Sequence, residues 1–320
     1  MTKLIVMKKL ILLAAIISFL QYSAKAQEQS VFTHYHINPV LINPATTGFN
    51  GSHEAYAHLK HSWTDFPGAP KTYALSYHGP VAKTFGLGLS VFSEDVASLN
   101  RFRAAINYAF RYKVDKLKFG FGFTTEYSQW SVPNSVRDNP FYDAGDELVD
   151  KGIGAVNSFD ASLGLHGLYN EKTYIGIAFP NIIMARLDGN RASTQNFDDG
   201  GYYMFNVGHK IEIAEGVQLE PSLMLRKARQ VPFMADINLR GLFLDERLMG
   251  GLTYRTGPGD ILAIQIGTKQ KNFIFYYTFD VAFQGFQNYN NGSHEITLGY
   301  RLPAKDRSAE LEGTIEQLTN

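Results

Sequence analysis

At 320 residues the chain has room for one large domain or two ordinary ones, and 30 basic residues balance 30 acidic ones to a formal net charge of zero. That balance gives no footing for nucleic acid, and the absence of cysteine excludes disulfides, a thiol nucleophile and a lipidated cysteine anchor. Aromatic residues reach 13%, with 18 Tyr and 23 Phe, which is high for a soluble enzyme and usual where aromatic girdles sit at two membrane interfaces.

The first residues read as a secretory signal. Lys3, Lys8 and Lys9 precede an apolar run over 10–20, and Ala24-Lys25-Ala26 is a small-residue cleavage site, so residues 1–26 are expected to be removed and the mature chain to begin at Gln27. The run is too short to span a bilayer, and nothing after it holds the ~18 consecutive apolar residues of a membrane helix. Residues 27–52 lack amphipathic alternation and are rich in Asn, Pro and Thr. They form an N-terminal segment outside any strand.

From residue 53 the pattern changes to a period of two. Over 101–113, Phe102, Ala104, Ile106, Tyr108, Phe110 and Tyr112 share one face while Arg101, Arg103, Asn107, Arg111 and Lys113 share the other. That is a strand with one apolar and one wet side. Similar segments occupy 53–61, 71–78, 84–92, 116–129, 158–167, 173–179, 202–213, 217–227, 232–243, 247–255, 260–268, 271–280 and 294–302. Fourteen is an even number, as single-chain bacterial barrels require, and the lengths suit the ~9–11 residues of a tilted spanning strand. The connections alternate: short ones at 79–82, 114–115, 170–172, 214–216, 244–246 and 269–270, long ones at 62–70, 130–157, 180–201 and 281–293. The predicted fold is therefore all-β, a transmembrane antiparallel β-barrel of about fourteen strands over 53–302, with long extracellular loops and short periplasmic turns.

Faces agree between strands. Phe119, Phe121 and Phe123 point to lipid with Lys118, Gly120 and Gly122 opposite; Ile237 and Leu239 point out while Asp236, Asn238 and Arg240 point in. Ile296, Leu298 and Tyr300 point out, against Glu295, Thr297 and Arg301. The lumen is expected to carry both signs of charge, with Glu126, Asp160, Lys210, Glu212, Glu220 and Arg255 among its residues. A barrel of about eight strands is just filled by its own side chains, so fourteen leave space for water, a plug or a bound polypeptide. Residues 27–52 are the candidate plug. The polar residues 303–320, with Leu311, Ile315 and Leu318 at helical spacing, are expected to form a solvated periplasmic tail.

No constellation for catalysis, cofactor or metal emerges: there is no G-x-S-x-G, H-E-x-x-H or P-loop. His34, His36, His53, His58 and His61 lack the spacing of a helix-borne zinc pair and read as surface or interface histidines. Asp138, Asp143, Asp146, Glu147 and Asp150 lack EF-hand spacing and read as a solvated acidic loop. Gly86-Leu87-Gly88 and Gly120-Phe121-Gly122 precede no helix, so they are not dinucleotide fingerprints; glycines on a lumen face mark close packing or bends.

Two runs stand out. Asn38-Pro39-Val40-Leu41-Ile42-Asn43-Pro44-Ala45, after Tyr35 and before Gly48, contains two Asn-Pro steps that keep the backbone extended or turned. Trp63 is followed by Gly68-Ala69-Pro70-Lys71-Thr72 at the first outer loop. Together they resemble the PorP/SprF family of outer-membrane proteins of Bacteroidota, which work with type IX secretion and gliding. Ser62 and the His34 and His36 neighbours depart from the usual pattern. The resemblance implies a non-enzymatic role: binding the C-terminal sorting domain of a large secreted adhesin for export or surface anchoring, with other type IX components as further partners and outer-membrane lipid around the barrel. It transfers no residue-level role to Tyr35, Asn38, Pro39, Asn43, Pro44, Gly48, Trp63, Gly68, Pro70 or Thr72. Loop aromatics Phe141, Tyr142, Phe197, Phe283, Phe286 and Tyr289 are candidates for a partner-facing surface by residue type, and equally for an outer girdle. The rival functional reading is an outer-membrane channel or hydrophobic-solute transporter.

Overall fold

The protein's structure, a computed structural model, describes residues 32–138, 153, 155–187, 202–228, 232–257, 260–283 and 289–303. The expected signal, the tail after 303, most of the acidic loop, and Phe141, Tyr142, Phe197 and Phe286 lie outside these residues.

The strands are β1 (Ser52–His61), β2 (Lys71–Pro80), β3 (Phe85–Val96), β4 (Leu99–Val114), β5 (Leu117–Ser131), β6 (Val156–Tyr169), β7 (Thr173–Arg186), β8 (Tyr203–His209), β9 (Ile211–Ala214), β10 (Val217–Lys227), β11 (Met234–Phe243), β12 (Leu248–Thr256), β13 (Ile261–Gln270), β14 (Phe273–Ala282) and β15 (Ser293–Pro303). Apart from β8 and β9, strands adjacent in sequence pair antiparallel, and β15 pairs with β1 from Ser52 opposite Pro303 to His61 opposite His294, closing the sheet. β8 and β9 lie end to end along β10, so the barrel has fourteen staves. Closure leaves no edge, which is what lets a sheet stand in hydrocarbon.

Two details depart from the period-two reading, and proline explains both. The segment 202–213 is interrupted at Lys210. Its partner strand pairs Leu219 with Ile211 and Ser222 with Gly208, leaving Glu220 and Pro221 unpaired on that side. Pro221 has no N–H to give the ladder. Conversely, the strand ending expected at 179 does not occur: β7 runs through Pro180 to Arg186. The register slips there, with Leu163 opposite Phe179 but Ala161 opposite Ile183, so Pro180 sits in the slack of a bulge where no ladder bond is required of it.

Alternation sorts the side chains as their chemistry demands. Ile237 and Leu239 are 54% and 47% exposed on the outer wall, while Asp236, Asn238 and Arg240 are buried inside. Inside, opposite charges meet across neighbouring staves: Arg255 makes a bidentate pair with Asp236 (2.8 and 2.9 Å), Arg240 meets Glu220 at 2.8 Å, and Arg301 meets Glu54 at 3.2 Å. A buried pair of this kind contributes little net stability, yet losing one partner costs roughly 3–5 kcal/mol, so the pairs fix register. Lys210 and Glu212 do not line the lumen as expected. They sit at the short-turn rim, where Lys210 reaches Glu246 at 2.8 Å and Glu212 reaches Lys172 at 3.7 Å, because the break opposite Pro221 ends the inner face there.

Leu239 lies at mid-strand on the outer wall, so Leu239→Arg is expected to lower barrel stability by about 2–4 kcal/mol. Denaturant unfolding in bilayers measures this; an effect below ~1 kcal/mol would mean that this face does not meet hydrocarbon.

Candidate functional site: a strap inside the barrel

The N-terminal run folds back into the barrel. Each Asn-Pro step holds its Asn out of the helical region and lets Pro open a short 3₁₀ turn, at Pro39–Leu41 and Pro44–Thr46, after a first turn at Thr33–His36. The resulting strap is compact and has few backbone donors left over. It descends from the long-loop half of the lumen, at Thr33, to the short-turn rim, where Gly51 leads into β1.

At its upper end the fastening is polar. The carboxylate of Glu295 in β15 accepts the backbone N–H groups of Thr33 and His34, both at 2.8 Å, and Lys60 of β1 stands 3.4 Å away. Hydrogen bonds to a charged, buried acceptor are the strong kind, worth about 1.5–3 kcal/mol each. The His34 ring is wedged between the hydroxyls of Thr297 and Thr278, each at 2.6 Å, and meets Tyr276 edge-on. Burial holds the His34 pKa down to about 4, with Lys60 and Arg240 adding repulsion and Glu295 opposing them. Burial also pushes His36 well below the usual imidazole value, helped by Arg240 and His34.

In the middle, Asn38 is fully buried and donates its amide to Ser76 at 2.8 Å and to His58 Nε2 at 3.0 Å. Because an amide nitrogen only donates, His58 carries its proton on Nδ1, which donates to Thr297 at 2.6 Å. Tyr35 packs among Ile42, Ala178, Met204 and Met224, and its hydroxyl accepts from Asn238 at 2.7 Å. Asn43 does two things at once: its Oδ1 accepts the Ala45 N–H at 3.0 Å, capping the third turn, and its Nδ2 donates to the Leu165 carbonyl of β6 at 2.8 Å.

The lower end is a steric seam. A Cβ on Gly86 would collide with the Thr47 carbonyl oxygen, one on Gly122 would collide with the Ala45 nitrogen, and one on Gly120 would lie 2.6 Å from the Ala45 oxygen. These lumen-facing glycines of β3 and β5 are where backbone meets backbone. Gly48 turns at φ +62° against the Gly79 carbonyl, and the Arg111 guanidinium donates to the Gly48 carbonyl.

The second run lies at the outer rim. Trp63 (φ 49°) and Gly68 (φ 74°) bend the loop, the Pro70 carbonyl accepts from Ser62 at 2.9 Å, and Thr72 is buried with its hydroxyl 3.4 Å from Glu94. This loop pairs with residues 290–293 through Thr64 N–H to Gly292 O (2.8 Å) and Asn291 N–H to Thr64 O (2.9 Å), and the Gly68 carbonyl accepts from Ala97 at 2.9 Å. Phe283 and Tyr289 stand out at 62% and 72% exposure. Thus Tyr35, Asn38, Pro39, Asn43, Pro44 and Gly48 are brought together in the lumen, while Trp63, Gly68, Pro70 and Thr72 form a separate feature at the rim. Sequence reading did not single out Glu295, Ser76, Asn238 or Arg111 as partners of the strap; lumen-facing polar residues were recognisable, but not which of them meets residues 32–51. Among the described residues no group of three metal-ligating side chains converges.

Over residues 24–300 the sequence matches the family described as type IX secretion system membrane protein PorP/SprF. The chain belongs to the PorP/SprF family. It is an outer-membrane β-barrel. No curated protein matches it by sequence. Solved barrels with similar folds include the toluene transporter TbuX of Ralstonia pickettii (11% identity, 82% of this chain and 92% of that one, TM-score 0.49) and a FadL homologue of Pseudomonas aeruginosa (10%, 82% and 92%, 0.49). Omp33 of Acinetobacter baumannii is similar at 8% identity, covering 80% of this chain and 100% of that one, with a TM-score of 0.44.

Two outcomes test the strap of this PorP/SprF protein. Gly122→Val should expel residues 44–45 from β5 and raise hydrogen exchange across 32–51 while the barrel keeps its heat-modifiable gel mobility; unchanged protection would mean that the seam is slack. Acid should loosen the upper end. A depressed His34 pKa means that the released strap takes up a proton more readily than the seated one, so seating is full above about 6.5 and weakens as pH falls towards about 4. Protection factors of the Thr33 and His34 amides, with exchange corrected for its intrinsic pH dependence, should be lower at pH 5 than at pH 7.5, and equal protection at the two would contradict this.

Proposed function

We propose that this protein is a non-enzymatic docking component of type IX secretion. It binds the C-terminal sorting domain of a large secreted adhesin at its outer rim, for export or for retention at the surface. The observation that carries this reading is the strap. Residues 32–51 touch β14, β15, β1 and β2 on one side of the lumen and β6 and β11 on the other, so the interior is committed to the protein's own chain and binding falls to the rim. The rim is suited to docking. Loops tied to one another by backbone hydrogen bonds hold their shape, and Phe283 and Tyr289 offer large apolar groups at low entropic cost. Family membership supports secretion-system partners, and binding of this kind needs no catalytic group.

Affinity purification from native outer membranes, with mass spectrometry of what co-purifies, tests the reading. A very large surface protein bearing a sorting domain is the expected companion. Phe283→Ala and Tyr289→Ala should each weaken its recovery about fivefold or more, the effect of ~1 kcal/mol at a partner-facing aromatic. Liposomes carrying the intact barrel should show no solute-driven swelling. A barrel recovered alone that conducts small solutes would replace docking with the channel reading.

A further inference from the structure

A concavity of about 750 Å³ opens on the outer wall, away from the lumen and the rim. Its floor is small: Ala55 and Ala57 of β1 point outwards, each flanked in register by larger side chains. Ala55 lies between Tyr77 and Tyr300, and Ala57 between Leu75 and Leu298. Phe273 and Phe275 of β14 complete one wall, and Leu89 and Val91 of β3 the other. Four of these residues, Leu75, Leu89, Phe273 and Leu298, are between 54% and 65% exposed.

The position of the groove decides what fills it. Ala55 stands early in β1 and Phe273 opens β14, so the trough belongs to the short-turn, periplasmic half of the barrel. Its lower end turns polar. His53 lies flat against Tyr77 with rings 6.1 Å apart and Nδ1 2.9 Å from the Tyr77 hydroxyl, and Gln270 ends β13 on the same wall. An apolar trough with a hydrogen-bonding mouth, continuous with a wall that faces hydrocarbon, matches an amphipathic molecule lying along the barrel with its head at the interface.

We propose that this groove is a binding site for a phospholipid of the periplasmic leaflet, with one acyl chain laid over Ala55 and Ala57 and the headgroup beside His53, Tyr77 and Gln270. The missing side-chain volume at two successive outward positions of β1 creates the trough, so the site is specified by residues whose smallness the fold does not otherwise require. Acyl methylenes seated there exchange loose contact with neighbouring chains for close contact with aromatic walls. The proposal stands apart from the docking function and does not depend on it.

Native mass spectrometry of the full barrel in mild detergent, titrated with palmitoyl-oleoyl phosphatidylethanolamine, provides the test. Wild type should hold one lipid saturably. Ala57→Leu, and Ala55→Leu with it, should fill the floor and weaken retention about tenfold, since the acyl chain then loses the many small dispersion contacts it makes with the walls. Ala161→Leu, an equal addition to the outward face of β6, away from the groove, should leave binding unchanged, and heat-modifiable gel mobility confirms that all variants fold. Absence of a saturable lipid, or equal loss in the Ala161 variant, overturns the site. So does photocrosslinking from position 57 in native membranes that captures a protein rather than lipid.

Discussion

Filling a wide barrel is the constraint on which the rest of this structure depends. Fourteen staves enclose more space than their own inward side chains can occupy. Without a filling segment, the Glu295 carboxylate and the glycine surfaces of β3 and β5 would lack the contacts that the strap supplies. The chain answers by returning its N-terminal residues to the interior, and the barrel is shaped around them. Glycines of β3 and β5 stand where the strap's backbone comes closest, and polar side chains stand where its orphaned donors point.

The two ends of the strap are held by different physics. Below, contact is chiefly steric and backbone to backbone, which tolerates no added side chain, with the Arg111 guanidinium and the His78 ring reaching the backbone of Gly48. Above, the contact is a carboxylate receiving two N–H groups, with an uncharged imidazole between two threonines. The lower seam is therefore held mainly by shape and the upper fastening mainly by a charged acceptor. A protein that displays a rigid rim to a partner gains from such an interior, because the strap braces staves on opposite sides of the barrel through bonds that no single hairpin supplies.

Outside, the logic inverts. The wall presents leucine, isoleucine and aromatic rings, and it departs from that band where alanines on β1 make a trough and where a histidine stacks on a tyrosine near the short-turn end. Charged residues collect at the short-turn rim, where Lys210, Lys172 and Lys118 meet Glu246, Glu212 and Glu171.

By itself the sequence determined the barrel: a period of two cannot be read as a helix, and the strand count and faces follow from it almost residue by residue. Two bounds differ: the strand expected to end at 179 runs on through Pro180, which a bulge accommodates, and the segment expected at 202–213 is interrupted opposite Pro221. The Asn-Pro run was legible as non-helical and non-strand, and the lumen glycines as places of close approach. What only the tertiary structure decided is who meets whom. Glu295 lies more than two hundred and sixty residues from the amides it receives, and Asn238 about two hundred from the Tyr35 hydroxyl. Alternation along a strand tells which face a side chain takes; it carries no information about which stave lies across the lumen, because that pairing exists only once the sheet has closed.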